Sequence, residues 1–307
     1  MVRLVSGILV PLLHGLMKLA GVTPQELEIE PGTTMNIWVP KQTINRAAGK
    51  WNKPAKPALV FVHPFCADGI LMWFLQVLAF SGKYSVYVPD LLFFGGSTTS
   101  AAGRSASFQA EFLAKGLRKL GVQRCTVVGL SYGGMVGFKM AEMYPDLVEN
   151  MVVSSAVMEL TESLTRERTA SIGRFSSWVE FLLPETVEGF KFLFSIGFHK
   201  LPWLPRFLYN DFLQTLFGNR KEKAELLEAL VVSDSDDSTS IIPNYSQRIL
   251  FLWGDEDKIF SLELAQSMKE RVGEKASLQR VGKAGHLLQM ERPFAYNTLI
   301  RKFLSSL

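Results

Sequence analysis

The sequence predicts an α/β fold, a mostly parallel sheet with helices on both faces and one large helical insertion. Five short, nearly continuous apolar runs carry that expectation: "ALVFVH", "YSVYVPD", "RCTVVGL", "NMVVSSAV" and "RILFLWG" have the composition of strands covered on both faces. Stretches of helical period separate most of them, the alternation that builds a parallel sheet. One connection breaks the rhythm. Roughly ninety residues lie between Val157 and Arg248, against about 10 to 15 in an ordinary helical crossover.

At the N-terminus, Arg3 is followed by "LVSGILVPLLHGLMKLAGV", which superficially has the basic and apolar parts of a signal peptide. Pro11, His14 and Lys18 interrupt it, leaving it too polar and too short for a membrane span. Leu9, Leu12, Leu13, Leu16 and Leu19 or Ala20 recur near helical spacing, so residues 1–24 read as an amphipathic helix packed on the domain. Peripheral contact with a lipid surface is the alternative reading of the same face.

"ELEIE" and "MNIWVP" then alternate apolar and polar residues around Pro-Gly-Thr-Thr, the pattern of a half-buried hairpin, and the polar stretch from Lys41 to Lys56 reads as a loop. Helical periods follow at Trp73 to Phe80, Phe108 to Leu120, Met135 to Tyr144, Leu262 to Arg271 and Phe294 to Leu304, with "ASLQRV" as a last strand. The core thus comprises residues 25–157 and 246–307. Residues 158–245 form the insertion, rich in large apolar side chains and cut into several helices by Pro184, Pro202 and Pro205. An apolar insertion on a sheet reads as a lid with its own small core. "SDSDDSTS" at 233–240 reads as a flexible loop closing it.

Composition removes several classes of function. The formal charge is only +4, and the densest basic cluster, Arg220-Lys221-Glu222-Lys223, is interleaved with acid, unlike a nucleic-acid footprint. Cys66 and Cys125 are too few for a disulfide framework, so a reducing, cytoplasmic compartment is expected, with membrane association through the first helix as the variant. The four histidines are scattered without ligand spacing, so no metal or other cofactor is expected.

The chemistry concentrates in "CTVVGLSYGGMVG". Gly129-Leu130-Ser131-Tyr132-Gly133 between a buried strand and a helix has the form of a nucleophile elbow, a tight turn that exposes the serine Oγ. A serine hydroxyl needs a base within reach, itself oriented by an acid. His286 in "VGKAGHLLQMERP" lies after a strand and before the last helix, on the edge where the elbow emerges. His63 competes, but ends a strand beside a proline and reads as a brace; His14 and His199 read as packing residues in apolar helical surroundings. For the acid, "FLWGDEDKIF" offers Asp255, Glu256 and Asp257. The loop leaving Gly254 must turn back before a carboxylate faces the histidine, which places Asp257 ahead of Asp255. Two N–H donors complete the set, those of Tyr132 after the nucleophile and Phe65 in the loop after "ALVFVH".

Four blocks in this order, "HPFCADG", "PDLLFFGGS", "GLSYGG" and "WGDEDK" with "GHLLQMERP", resemble the α/β-hydrolase superfamily over nearly all the chain after about residue 25. The nearest likeness is to lidded plant serine hydrolases, then to monoacylglycerol lipases and to hydrolases of carbon–carbon bonds. The resemblance implies an α/β-hydrolase fold, and its acid position three after the strand-ending glycine again points to Asp257. Two departures matter. The usual His-Gly of the oxyanion loop is here His63-Pro64, and the Asn and Trp of carbon–carbon hydrolases are here Leu130 and Leu287, which makes that reaction the less expected one. The family's epoxide hydrolases and dehalogenases carry an aspartate where this chain has Ser131.

The expected function is therefore hydrolysis of a carboxylic ester with an apolar acyl or aromatic group through an acyl-enzyme, with a hydrophobic small molecule as partner and no nucleic acid. The alternatives are a small-molecule receptor or partner-binding protein on the same scaffold, or an acyltransferase or lyase.

Overall fold

A computed structural model of the protein describes residues 3–45, 50–65, 67–173, 175–201, 203–234 and 244–307. Cys66, Pro202 and residues 235–240 of the expected closing loop lie outside these residues.

A single twisted sheet organises the chain. Its main strands are β1 (Val22–Glu30), β2 (Thr33–Pro40), β3 (Ala58–Val62), β4 (Ser85–Pro89), β5 (Cys125–Leu130), β6 (Val148–Ser154), β7 (Arg248–Gly254) and β8 (Ala276–Val281), and a two-residue ninth strand, Thr98–Thr99, pairs antiparallel with the start of β2. The spatial order is β1-β2-β4-β3-β5-β6-β7-β8. β1 and β2 form the expected hairpin, and β2 meets β4 antiparallel; every later pairing is parallel. The expected mostly parallel sheet is borne out.

Side-chain alternation on β3 shows why both sheet faces are covered. Val60 and Val62 pack with Leu117 and Met140 of α3 (Ala106–Lys119) and α4 (Tyr132–Met143). Leu59 and Phe61 point the other way, onto Trp73 and Phe80 of α2 (Gly69–Phe80) and Ile300 of the C-terminal helix over Pro293–Ser305. Such a strand has no polar face, hence its continuous apolar sequence.

The parallel registers align the carboxyl ends of the strands. Val62 lies opposite Gly129, Leu130 opposite Ser154, Leu252 opposite Ser154, and Gly254 opposite Val281. Every loop that carries a sequence-predicted site residue therefore leaves the same edge of the sheet.

Four elements differ from the sequence reading. The first helix, expected over residues 1–24, ends at Leu19, and β1 already begins at Val22 after the turn at Gly21, whose φ of 90° a helix does not allow. Helix α2 begins at Gly69 rather than Trp73, because the Asp68 carboxylate caps it by accepting the Leu71 N–H at 2.9 Å. Helix α4 begins at Tyr132 rather than Met135, directly after Ser131. The stretch expected to be a loop at 41–56 contains a short antiparallel pair, Ile44–Asn45 with Lys50–Trp51, and Ile44 and Trp51 pack against the core.

The long connection holds α5 (Glu162–Gly173), α6 (Trp178–Leu182), α7 (Val187–Gly197), α8 (Arg206–Leu216) and α9 (Arg220–Glu228). Its aromatic side chains pack mainly among themselves: Phe190 touches Phe194, Tyr209 and Phe217 with ring centroids 4.4, 6.1 and 5.5 Å apart. Before β1, a π-helical turn over Val5–Leu9 runs into α1 (Val10–Leu19), which buries Leu13 and Met17. Among the described residues no helix is long and apolar enough to cross a membrane.

Candidate functional site

Ser131 sits between β5 and α4 with φ 52° and ψ −121°, a region that L-residues rarely adopt. The surroundings hold it there. Its N–H donates to the Ser154 carbonyl at 2.9 Å, and its own carbonyl accepts from Gly134 and Met135 as α4 begins. A Cβ at Gly129 would lie 2.5 Å from the Gly133 carbonyl oxygen, and one at Gly133 would collide with that of Val62. The two glycines are thus required by the closeness of strand and helix, not by the turn alone.

Two loops at the far side of the same edge bring an acid and a base together. His286 Nδ1 lies 3.1 and 3.2 Å from the two carboxylate oxygens of Asp257, with both side chains almost wholly buried. The carboxylate is itself fixed, since Oδ1 also accepts the Ile259 and Phe260 N–H groups at 2.9 and 3.1 Å. With Nδ1–H donating to Asp257, the His286 Nε2 carries the lone pair. Asp255, the competing acid, instead pairs with Arg280 at 2.8 Å on the exposed side of β8.

The two loops are laced to each other by backbone. Asp255 N–H donates to Val281 at 3.1 Å and Glu256 N–H to Ala284 at 3.0 Å, while Asp257 N–H turns back onto Gly254 at 3.2 Å. That last bond is the reversal through which the third residue after the glycine, rather than the first, faces the histidine.

Ser131 and His286 line one narrow cavity of about 70 Å3, together with Phe65 and Tyr132. Its remaining walls are nearly all apolar, with Trp178, Leu182, Leu193 and Phe194 contributed by the inserted helices. Tyr132 occupies the first turn of α4, where a helix leaves its N–H groups without internal acceptors. Phe65 and Tyr132 are both buried, and their rings meet edge to face 5.7 Å apart.

The other histidines are accounted for elsewhere. His63 is fully buried; its Nε2 accepts the Leu91 N–H at 2.9 Å, which leaves Nδ1–H to donate to the Pro64 carbonyl at 2.7 Å. Burial holds its pKa below the usual histidine value, so it braces the loop as a neutral ring. His14 packs edge-on against Trp38 at 4.8 Å. His199 is not helical, contrary to expectation: it lies beyond the end of α7, its N–H bonded to Glu291.

Three carboxylates that shape the site have no signal in composition or spacing. Glu291 accepts the Gly285 N–H at 2.7 Å, immediately before His286. Buried Asp90 accepts from Gly69 at 2.8 Å, Asn36 at 2.7 Å and Gly96 at 3.1 Å, tying the loop after β4 to the start of α2. Asp68, beside it, is pushed up to about 7 by burial and by the Asp90 charge. The motif "PDLLFFGGS" drew attention to the right loop, but only long-range contacts reveal what Asp90 holds.

A family model described as alpha/beta hydrolase fold matches residues 57–293. Among curated relatives, the chain is 26% identical over 282 residues to epoxide hydrolase 4 of Mus musculus, covering 81% of this chain and 73% of that one. It is 26% identical over 217 residues to lipase 3 of Moraxella sp. (strain TA144), covering 68% and 65%. A crystal structure of a bacterial membrane phospholipase A superposes with a TM-score of 0.75 at 20% identity, over 97% of this chain and 89% of that one. The 2-hydroxy-6-oxo-6-phenylhexa-2,4-dienoate hydrolase of Rhodococcus sp. strain RHA1 superposes with a TM-score of 0.74 at 15% identity, over 92% and 99%. With the strand order, the serine turn and the family match in agreement, the chain belongs to the α/β-hydrolase family.

Proposed function

We propose that the protein hydrolyses a carboxylic ester whose acyl or aromatic group is apolar, by way of an acyl-enzyme. In this reading Ser131 Oγ attacks the acyl carbon while His286 Nε2 takes its proton, and Asp257 fixes the ring and balances the imidazolium. The oxyanion is received by the N–H groups of Phe65 and Tyr132. His286 then returns the proton to the departing alkoxide, and water, deprotonated by the same nitrogen, cleaves the acyl-serine bond.

The observation that carries the proposal is the shared cavity: Ser131 and an Asp257-oriented His286 line one apolar chamber. Its apolar walls match an acyl chain or an aromatic ring. Its volume is far below the roughly 300 to 1,000 Å3 of ordinary ligand sites. Substrate entry in this reading therefore requires the inserted helices to move as a lid.

Relatives named as epoxide hydrolases raise a second reading. The residue at the turn speaks against it on chemical grounds. Opening an epoxide with a carboxylate yields an ester that water can cleave, whereas opening it with a serine hydroxyl yields a stable ether.

The test is a fluorophosphonate probe together with nitrophenyl esters of graded chain length. Wild type should label and turn over the longer esters, and Ser131→Ala should do neither. Equal behaviour of the two proteins in both assays defeats the proposal.

A further inference from the structure

The N-terminal helix is apolar on two sides, and only one of them is used by the fold. Leu13 and Met17 pack into the core, whereas Leu9, Leu12, Leu16 and Leu19 lie together on a separate, exposed stripe; Leu12 is 67% and Leu19 86% exposed. The stripe does not stand alone. The π-helical turn before α1 packs on α8, where the Val5 N–H donates to buried Asp211 at 2.7 Å. One turn earlier on α8, Phe207 is 57% exposed, and Trp203, just before that helix, is 85% exposed.

Charge narrows what can cover these side chains. Residues 3–25 contain Arg3 and Lys18 and no carboxylate, and residues 189–210 contain Lys191, Lys200 and Arg206 and no carboxylate. Asp211 faces inward to Val5, and Glu188 and Arg206 neutralise each other in a pair at 2.9 Å, which leaves Arg3, Lys18, Lys191 and Lys200 as the charges of these two stretches. A second copy of the chain would oppose this positive surface with itself. Anionic lipid headgroups complement it, and the leucine stripe with its aromatic neighbours suits the boundary between headgroups and acyl chains.

We infer that α1 and the start of α8 form one docking surface for an anionic lipid bilayer, with the protein lying on the membrane rather than spanning it. The position is consequential. Helix α8 ends at Leu216 and α1 packs on α2, which carries Met72; both side chains line the cavity that holds Ser131. A bilayer held at this surface lies against α8, which walls the chamber, and against α1, which backs the α2 wall.

Vesicle sedimentation of the full chain tests the inference, using phosphatidylcholine vesicles with and without about 30% phosphatidylserine. Wild type should sediment with the anionic vesicles and bind about tenfold less to the neutral ones or in high salt. Leu12→Glu combined with Leu19→Glu should reduce binding about a hundredfold. Trp203→Ala should reduce it about tenfold. Both variants should keep the wild-type melting temperature and its turnover of a short, soluble nitrophenyl ester. Ser131→Ala should bind vesicles as wild type does, so the inference stands or falls separately from the ester reading. Absence of wild-type sedimentation overturns it, as does equal binding of the variants. A wild-type dimer that Leu12→Glu dissociates, without vesicle binding, assigns the stripe to a second copy instead.

Discussion

One carboxylate oxygen of Glu291 accepts the Gly285 N–H at 2.7 Å and the His199 N–H at 3.1 Å, tying the turn before His286 to the end of α7. The other oxygen accepts from Lys200 at 3.1 Å. A half-buried carboxylate with three backbone donors holds its surroundings more firmly than neutral bonds would. The loop that carries His286 and the end of α7 are therefore held by the same residue.

Glu291→Ala should lower kcat about 10- to 100-fold while changing KM for a short ester little, since hydrogen bonds to a charged group are worth about 1.5 to 3 kcal/mol. Glu291→Gln should recover part of the loss. Steady-state kinetics with a soluble ester separates this from general destabilisation, in which active-site titration would fall and kcat per labelled site would not.

The two aspartates of "WGDEDK" should separate sharply. In Asp257→Asn the amide oxygen stays with the Ile259 and Phe260 N–H groups and the NH2 faces Nδ1, which favours the wrong tautomer of His286 and should reduce kcat about 10^4-fold, the scale known for the same change in serine hydrolases. Asp255→Asn breaks only an exposed pair with Arg280 and should cost less than about threefold. Comparable losses in both variants, measured by ester turnover, would reassign the acid.

Asp68 should give stability a pH dependence. Its carboxyl is raised to about 7 in the fold by burial and the neighbouring Asp90 charge, against 3.8 ordinarily. The folded chain thus holds a proton that the unfolded chain releases, so stability falls as pH rises from about 4 to 7 and then levels. Asp68→Asn keeps a side-chain cap for α2 but removes the charge. It should be little changed at pH 4 and more stable by about 2 kcal/mol above pH 7, less than the full shift implies because the group is partly exposed. Denaturant midpoints across that range check it, and a gain independent of pH would contradict it.

Strain at Ser131 should be measurable apart from catalysis. Ser131→Ala and Ser131→Gly both remove the hydroxyl, but only alanine keeps a Cβ at φ 52°. The glycine variant should be more stable than the alanine variant by about 1 kcal/mol, relief of strain exceeding the entropy that glycine adds to the unfolded chain. Thermal unfolding of the two inactive proteins gives the comparison.

Much of this architecture was legible because it rests on local pattern. Continuous apolar strands such as "ALVFVH" can exist only where both faces are covered, and the glycines around Ser131 announce a turn in which strand and helix nearly touch. The sequence also ranked Asp257 above Asp255, since the chain must reverse before a carboxylate can look back at the histidine. Helix starts were misplaced where a distant or side-chain contact set them, as at Asp68, and the short pair at Ile44 and Trp51 forms because both side chains find the core.

Tertiary structure alone decided which groups meet. The alignment of Gly129, Ser154, Gly254 and Val281 across four strands converts positions 131, 257 and 286, scattered along the chain, into neighbours at one sheet edge. It also decided that Glu291 and Asp90 hold the loops, and that the leucines of α1 divide into a buried row and a bare one. Periodicity records that a helix has an apolar face; it carries no information on which neighbour covers that face, because packing partners come from remote parts of the chain.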